Sequence, residues 1–328
     1  MRYSSNLLKP IAWNLEIDLV ADMQTMSYEK LVKAGYRNVE LDRALYQYFN
    51  VRKRQIDSRP RKLHKSREFK CPESYEEALD YFEKKVKRGD SLLPFLSNKL
   101  FDASYSDGML NDWNIYHFHL TRRFNKDGWA KRSDYELFAY VTDTDMYLLQ
   151  VYEHQDPLLY WRKELVKIIN DNWPELLDMF HLKEVQGLTE EFDDEQYKQL
   201  REAHITTFVE LGKNQVFGMI GGGYMSDGSS GEALRAADFW HNHLKKIQKI
   251  IVENMDMLCG LIEQVVESES KEYKVKLLWV DSEQEFTFCE SNRHVIIQLN
   301  MKDGYWRSCL PFEVFGFEKN YERINCNN

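Results

Sequence analysis

The sequence predicts an α+β protein, with a central antiparallel sheet and flanking helices followed by a second α+β domain that holds a long helix. Three observations predict it. The runs YELFAYV at 135–141 and DMYLLQVYEH at 145–154 are β-branched and aromatic, and the turn residues TDTD join them as a hairpin. Segments on both sides carry apolar residues at helical spacing. Beyond the acidic stretch LTEEFDDEQ, strand and helix patterns begin again. The 328 residues are 43% hydrophobic, enough for a large core, and fifteen Gly and seven Pro are too few for a fibrous or low-complexity chain.

In chain order, residues 1–71 read as a helical N-terminal segment and a basic linker. SYEKLVKAGYRNVELDRALYQYF repeats apolar residues at helical spacing, whereas RKRQIDSRPRKLHKSREFK at 52–70 has no periodicity. That second stretch holds nine Lys/Arg against two acids, in a chain whose net charge is -9. It is either a solvated linker or a phosphate-contacting segment with Arg52, Lys53 and Arg54 as RNA-binding candidates.

Residues 72–185 form the next segment. Tyr75, Ala78, Leu79, Phe82 and Val86 make one apolar stripe, which predicts a helix with a capping box at Ser74 and a stop at Gly89. NIYHFHL at 114–120 predicts a strand, and the hairpin follows. PLLYWRKELVKIINDNW then predicts a helix over 157–171, with Pro157 in its first turn and Pro174 past its end. Both helices are expected to pack on the sheet.

Residues 186–328 read as strands near 205–211 and 215–220, the loop GGGYMSDGSSGE, a helix from about 232 to 267, and strands at YKVKLLWV, EFTFCE and HVIIQL. A glycine loop that leads from strand to helix can cradle an anion. Gly221, Gly222 and Gly223 are therefore anion-binding candidates, or else they serve a tight turn or close packing. No phosphate-loop, dinucleotide, zinc-protease, EF-hand or serine-elbow pattern is present, so no cofactor is expected. Five scattered cysteines without CxxC spacing fit reduced thiols. No apolar run approaches the roughly 18 residues of a spanning helix, and the start lacks a secretory h-region, so a soluble cytoplasmic protein without a membrane partner is expected.

Histidine placement points to chemistry. His117 and His119 lie two apart on a predicted strand and so share a face, His154 ends the third strand, and Arg132 precedes the second. Imidazoles titrate near neutral pH, so one ring can take a proton from a ribose 2′-hydroxyl while another protonates the leaving oxygen. An arginine suits the phosphate oxygens.

The run HFHL, followed by KRSDYELFAYVTDTDMYLLQVYEHQDPLLY, resembles the RelE/YafQ-type toxin ribonucleases over residues 75–165. The resemblance implies metal-independent RNA cleavage through the 2′-hydroxyl, with His117 or His119 as the early histidine, Arg132 as the arginine and His154 as the late histidine. It also implies a toxin or anti-phage setting, RNA as partner, action on translated messages at the ribosome, and an antitoxin or regulatory protein. The chain is much longer than those toxins, and its C-terminal domain is left for partner, RNA or regulatory binding.

Two other readings use the same residues. In a non-enzymatic partner- or nucleic-acid-binding protein the histidines would be structural. In a hydrolase, His117, His119 and His154 would hold zinc, although no convincing fourth ligand accompanies them. His241 and His243 lie on a predicted helix, where residues two apart do not share a face.

Overall fold

The computed structural model describes residues 13–302 and the backbone of the strand at 305–311. In chain order the elements are β1 (Asn14–Ile17), α1 (Leu19–Lys33), α2 (Ala44–Arg54), β2 (Lys62–Lys65), α3 (Glu76–Arg88), α4 (Gly108–Trp113) and β3 (Ile115–His119). β4 (Tyr135–Val141), β5 (Asp145–Glu153), α5 (Glu164–Asn172), α6 (Asp194–Glu202), β6 (Phe208–Gly212) and β7 (Gln215–Gly218) follow. The chain continues with α7 (Gly231–Glu253), α8 (Met255–Val265), β8 (Glu272–Ser282), β9 (Glu285–Glu290), β10 (Val295–Asn300) and β11 (Tyr305–Pro311). This is the α+β class expected. No helix among the described residues is long and apolar enough to cross a membrane.

Contacts divide the chain into a larger unit, residues 31–237, and a smaller one made from residues 1–30 and 238–328. Contacts also run across the boundaries read from the sequence at 71/72 and 185/186. β2 pairs with β5 across the first, and a buried Arg201–Asp112 ion pair spans the second.

The larger unit holds a sheet in the order β2-β5-β4-β3. The expected hairpin forms, with Tyr135 opposite Glu153 and Val141 opposite Met146. Its turn closes where Thr142 Oγ1 accepts from the Asp145 amide at 3.0 Å. β3 adds antiparallel to β4. β2 corrects the all-antiparallel expectation: it joins β5 in parallel, and it comes from the basic segment read as a linker. Only four residues long, KLHK shows no period, yet Leu63 packs on the core and His64 Nε2 bonds Asp145 Oδ1 at 2.7 Å.

Both faces of this sheet are covered. Ala78, Leu79, Phe82 and Val86 of α3 pack with Phe118, Leu137, Ala139 and Leu148 on one face. On the other, Leu165, Val166, Ile168 and Ile169 of α5 pack with Ile115, Phe138, Tyr140 and Leu149. Each fully buried side chain of this kind contributes about 1.5–3 kcal/mol, and β4, covered on both sides, is buried through its interior. α3 ends at Gly89 as expected, with φ +77°. Its start differs, because a 3₁₀ turn over Glu73–Tyr75 leads into the helix and Ser74 makes no capping box. The helix expected from 157 begins only at Glu164, after a separate 3₁₀ turn at Leu159–Trp161. Asp156 Oδ1 accepts from the Leu158 amide at 2.8 Å, which favours that tighter turn.

The smaller unit contains a sheet in the order β1-β8-β9-β10-β11, with β1 parallel to β8 and the rest antiparallel. β8, β9 and β10 were expected; β1 and β11 were not. The single helix expected over 232–267 is interrupted at Asn254, whose Nδ2 donates to Ile250 O at 2.7 Å and competes for a helical carbonyl. Cys71, Cys259 and Cys289 are free thiols, and the side chains of Cys309 and Cys326 lie outside the described set.

Candidate active site

Register brings the histidines together with a carboxylate. In the β3–β4 ladder His117 stands opposite Phe138 and His119 opposite Glu136. Alternation turns Phe118 toward α3 and leaves both histidines on the other face. His154, one residue past β5, is held where its amide donates to Asp134 O at 2.7 Å. Its Nε2 lies 3.6 Å from Glu136 Oε1, and His119 Nδ1 lies 3.1 Å from the same oxygen. The His119 contact is within ion-pair range but out of line for a hydrogen bond, and Nδ1 has no other partner. The two imidazole rings are 6.4 Å apart and nearly parallel.

Glu136 is the hub. Its side chain is 1% exposed, and Oε2 accepts from the Tyr160 hydroxyl at 2.6 Å. Tyr160, on the 3₁₀ turn after β5, also packs edge-on against His117 at 5.1 Å and against His154 at 6.4 Å. A buried carboxylate requires such partners to remain charged. Burial pulls the His119 pKa below its ordinary value, opposed by the charge of Glu136 and assisted by His117, His154 and Arg132. Burial and the neighbouring Glu136 charge push the Tyr160 hydroxyl far up, so it stays a proton donor to that carboxylate. The exposed Arg132 thus reaches the same group electrostatically. Of the sequence candidates, His117, His119 and His154 gather here, and Arg132 acts on His119 through its charge alone.

Sequence reasoning missed Glu136 and Tyr160. The signal for Glu136 was a single acid inside the apolar run YELFAYV; Tyr160 carried none.

The remaining candidates have partners within the protein. Arg54 is 2% exposed, donates to Asn50 O at 3.1 Å and Asp102 O at 3.0 Å, and stacks over Tyr105. Lys53 is buried between Glu232 Oε2 at 3.0 Å, Ser230 Oγ and Gly221 O. Arg52 is half-exposed and bonds Gln55 and Asp57 beside it. The phosphate-contact expectation is therefore corrected for Lys53 and Arg54, whose charges the phase of α2 turns inward. Gly221, Gly222 and Gly223 donate their amides to Asp112 O, Met219 O and Asn111 O, and these bonds correct the anion-cradle expectation. A Cβ at Gly221 would collide with Leu110 O and Asn111, so close packing accounts for that glycine.

Among the described residues no group of three or more His, Cys, Asp or Glu is arranged to hold a metal ion, and the three-histidine zinc reading finds no ligand set. His243 of the other H-x-H pair bonds Glu283 O at 2.6 Å. No family model, curated protein or solved structure matches the chain.

Proposed function

We propose that the protein is a metal-independent endoribonuclease of toxin or anti-phage type, cleaving RNA by acid–base attack of the 2′-hydroxyl. One observation carries the reading: two imidazoles share a single buried carboxylate. His119, kept neutral by burial, is the general base, and the more exposed His154 is the general acid. Arg132 neutralises charge growing on the phosphorane. Glu136 positions both rings, and Tyr160 positions Glu136. His117, packed on Tyr160, supports that turn. The resemblance of HFHL and the following hairpin to RelE/YafQ-type toxins supports the same chemistry. On this reading the protein acts in the cytoplasm on RNA, at the ribosome, and is held in check by an antitoxin or regulatory protein.

The test is cleavage of labelled RNA by the wild type, His154→Ala and Arg132→Ala, with and without EDTA. Each variant should cleave at least ~100-fold more slowly, about 3 kcal/mol of transition-state stabilisation, with the fold intact. Activity should survive EDTA and leave 2′,3′-cyclic phosphate ends. Equal cleavage by wild type and both variants would sink this mechanism and return the histidines to a structural role. Loss in EDTA that zinc restores would favour the metal hydrolase.

A further inference from the structure

The turn that carries Tyr160 is held from behind by a buried arginine. Arg201 on α6 is 4% exposed, and its guanidinium divides its donors between two elements of the larger unit. Nε and Nη2 donate to Asp112 Oδ2 on α4 at 3.0 and 2.6 Å, while Nη1 donates to the Tyr160 carbonyl at 2.5 Å. The start of α6 grips the same stretch of chain, because the Lys163 amide donates to Asp194 Oδ1 at 3.0 Å.

Tyr160 is therefore fixed at both ends, its carbonyl by Arg201 and its hydroxyl by Glu136 Oε2. A tyrosine side chain has two torsions confined to preferred values, so pinning its backbone leaves the hydroxyl little room to move. From there the path is short: the other oxygen of Glu136 faces both His119 and His154. Stability alone gives the Asp112–Arg201 pair little reason to exist, since well-packed apolar residues in place of a buried ion pair are often no less stable. Orientation gives it one. The planar fork meets Asp112 along one edge and keeps Nη1 for the carbonyl, a division that the single ammonium of a lysine does not reproduce.

We infer that Arg201 is a positioning residue for the His119–Glu136–His154 cluster, with Asp112 aiming the guanidinium and Tyr160 passing its position on to Glu136. The effect on RNA cleavage rests on the ribonuclease reading above; the effect on the imidazoles does not.

The experiment follows the His119 ring by NMR as pH is varied, because the charge of Glu136 bears directly on it. Two variants of the full chain are compared with wild type: Asp112→Leu/Arg201→Met removes the donor without stranding the acid, and Arg201→Lys keeps a charge beside Asp112. Each should move the His119 titration by at least about 0.3 pH units, a factor of about two in protonation, in the direction in which Tyr160→Phe moves it. In a Tyr160→Phe background neither should move it further, since the path is already cut. The ring signals of His64, on the opposite edge strand β2, should keep their wild-type positions. A cooperative thermal transition identifies the folded variants. An unmoved His119 in either folded variant, an equal shift in the Tyr160→Phe background, or His64 signals that move alongside overturns the positioning role. Arg201→Lys should also lower kcat for RNA cleavage by as much as about 100-fold with KM unchanged, because the guanidinium is buried away from any RNA. The expected His119 shifts with no cleavage by the wild type would sink the ribonuclease reading alone, and wild-type cleavage rates in both variants would sink the positioning role alone.

Discussion

Glu136 Oε2 accepts a hydrogen bond from the Tyr160 hydroxyl at 2.6 Å, so a turn residue beyond the hairpin fixes a carboxylate inside it. Tyr160→Phe leaves Oε2 of a 1%-exposed carboxylate without its donor. A loss of about 1–3 kcal/mol in urea unfolding is expected, with slower RNA cleavage because the His119–Glu136–His154 geometry loosens. Unfolding at the wild-type midpoint would show that the bond contributes nothing net.

Stability should fall as pH drops through the ordinary histidine range. His119 is harder to protonate in the fold than in the unfolded chain. Above its ordinary value of 6.5 both states are neutral and nothing is lost. Below it the unfolded chain takes up the proton first, so stability declines until the folded group titrates as well. His119→Gln should give a shallower decline of the urea midpoint between about pH 7 and pH 5. Glu136→Gln, by removing the charge that opposes this shift, should extend the decline to lower pH.

Asp112 and Arg201 form a buried ion pair, with Oδ2 accepting from Nε at 3.0 Å and Nη2 at 2.6 Å. The guanidinium lies between Trp113 and Trp161, 4.4 and 4.9 Å from their ring centres. Arg201→Met strands the acid and should destabilise by about 3–5 kcal/mol. Asp112→Leu combined with Arg201→Met should cost less than the two single changes added together. Additive losses in chemical denaturation would mean that the two side chains act independently.

Arg52, Lys53 and Arg54 should separate in their effects. Arg54→Gln removes a charged donor from Asp102 O inside the protein, and Lys53→Met removes one from the Gly221 turn. Each should lower stability by about 1–3 kcal/mol. Arg52→Gln should stay within about 0.5 kcal/mol of wild type. Equal, negligible shifts in thermal midpoint for all three would place Lys53 and Arg54 outside the core.

The hairpin was legible because a turn sequence sits between two β-rich runs, and the shared face of His117 and His119 followed from the two-residue period of a strand. Glu136 was not legible. A lone acid in YELFAYV reads equally as an edge position until the register sets it across from His119. Lys53 and Arg54 were misread because composition describes a basic run, whereas the phase of α2 decides which members point inward. β2 escaped notice for a related reason: four residues with two lysines show no period, and only its partner β5 defines it as a strand.

The pairing of Asn14 with Glu272 sets a timetable for synthesis. A ribosome adds roughly 5–20 residues per second, so β1 waits on the order of ten seconds to a minute before β8 exists to receive it. All of residues 31–237 emerges in that interval and can form its own sheet first. The smaller unit is therefore completed last. Until then NLEI remains an unpaired strand, and its brevity and alternating exposure limit the chance of its being captured by another chain.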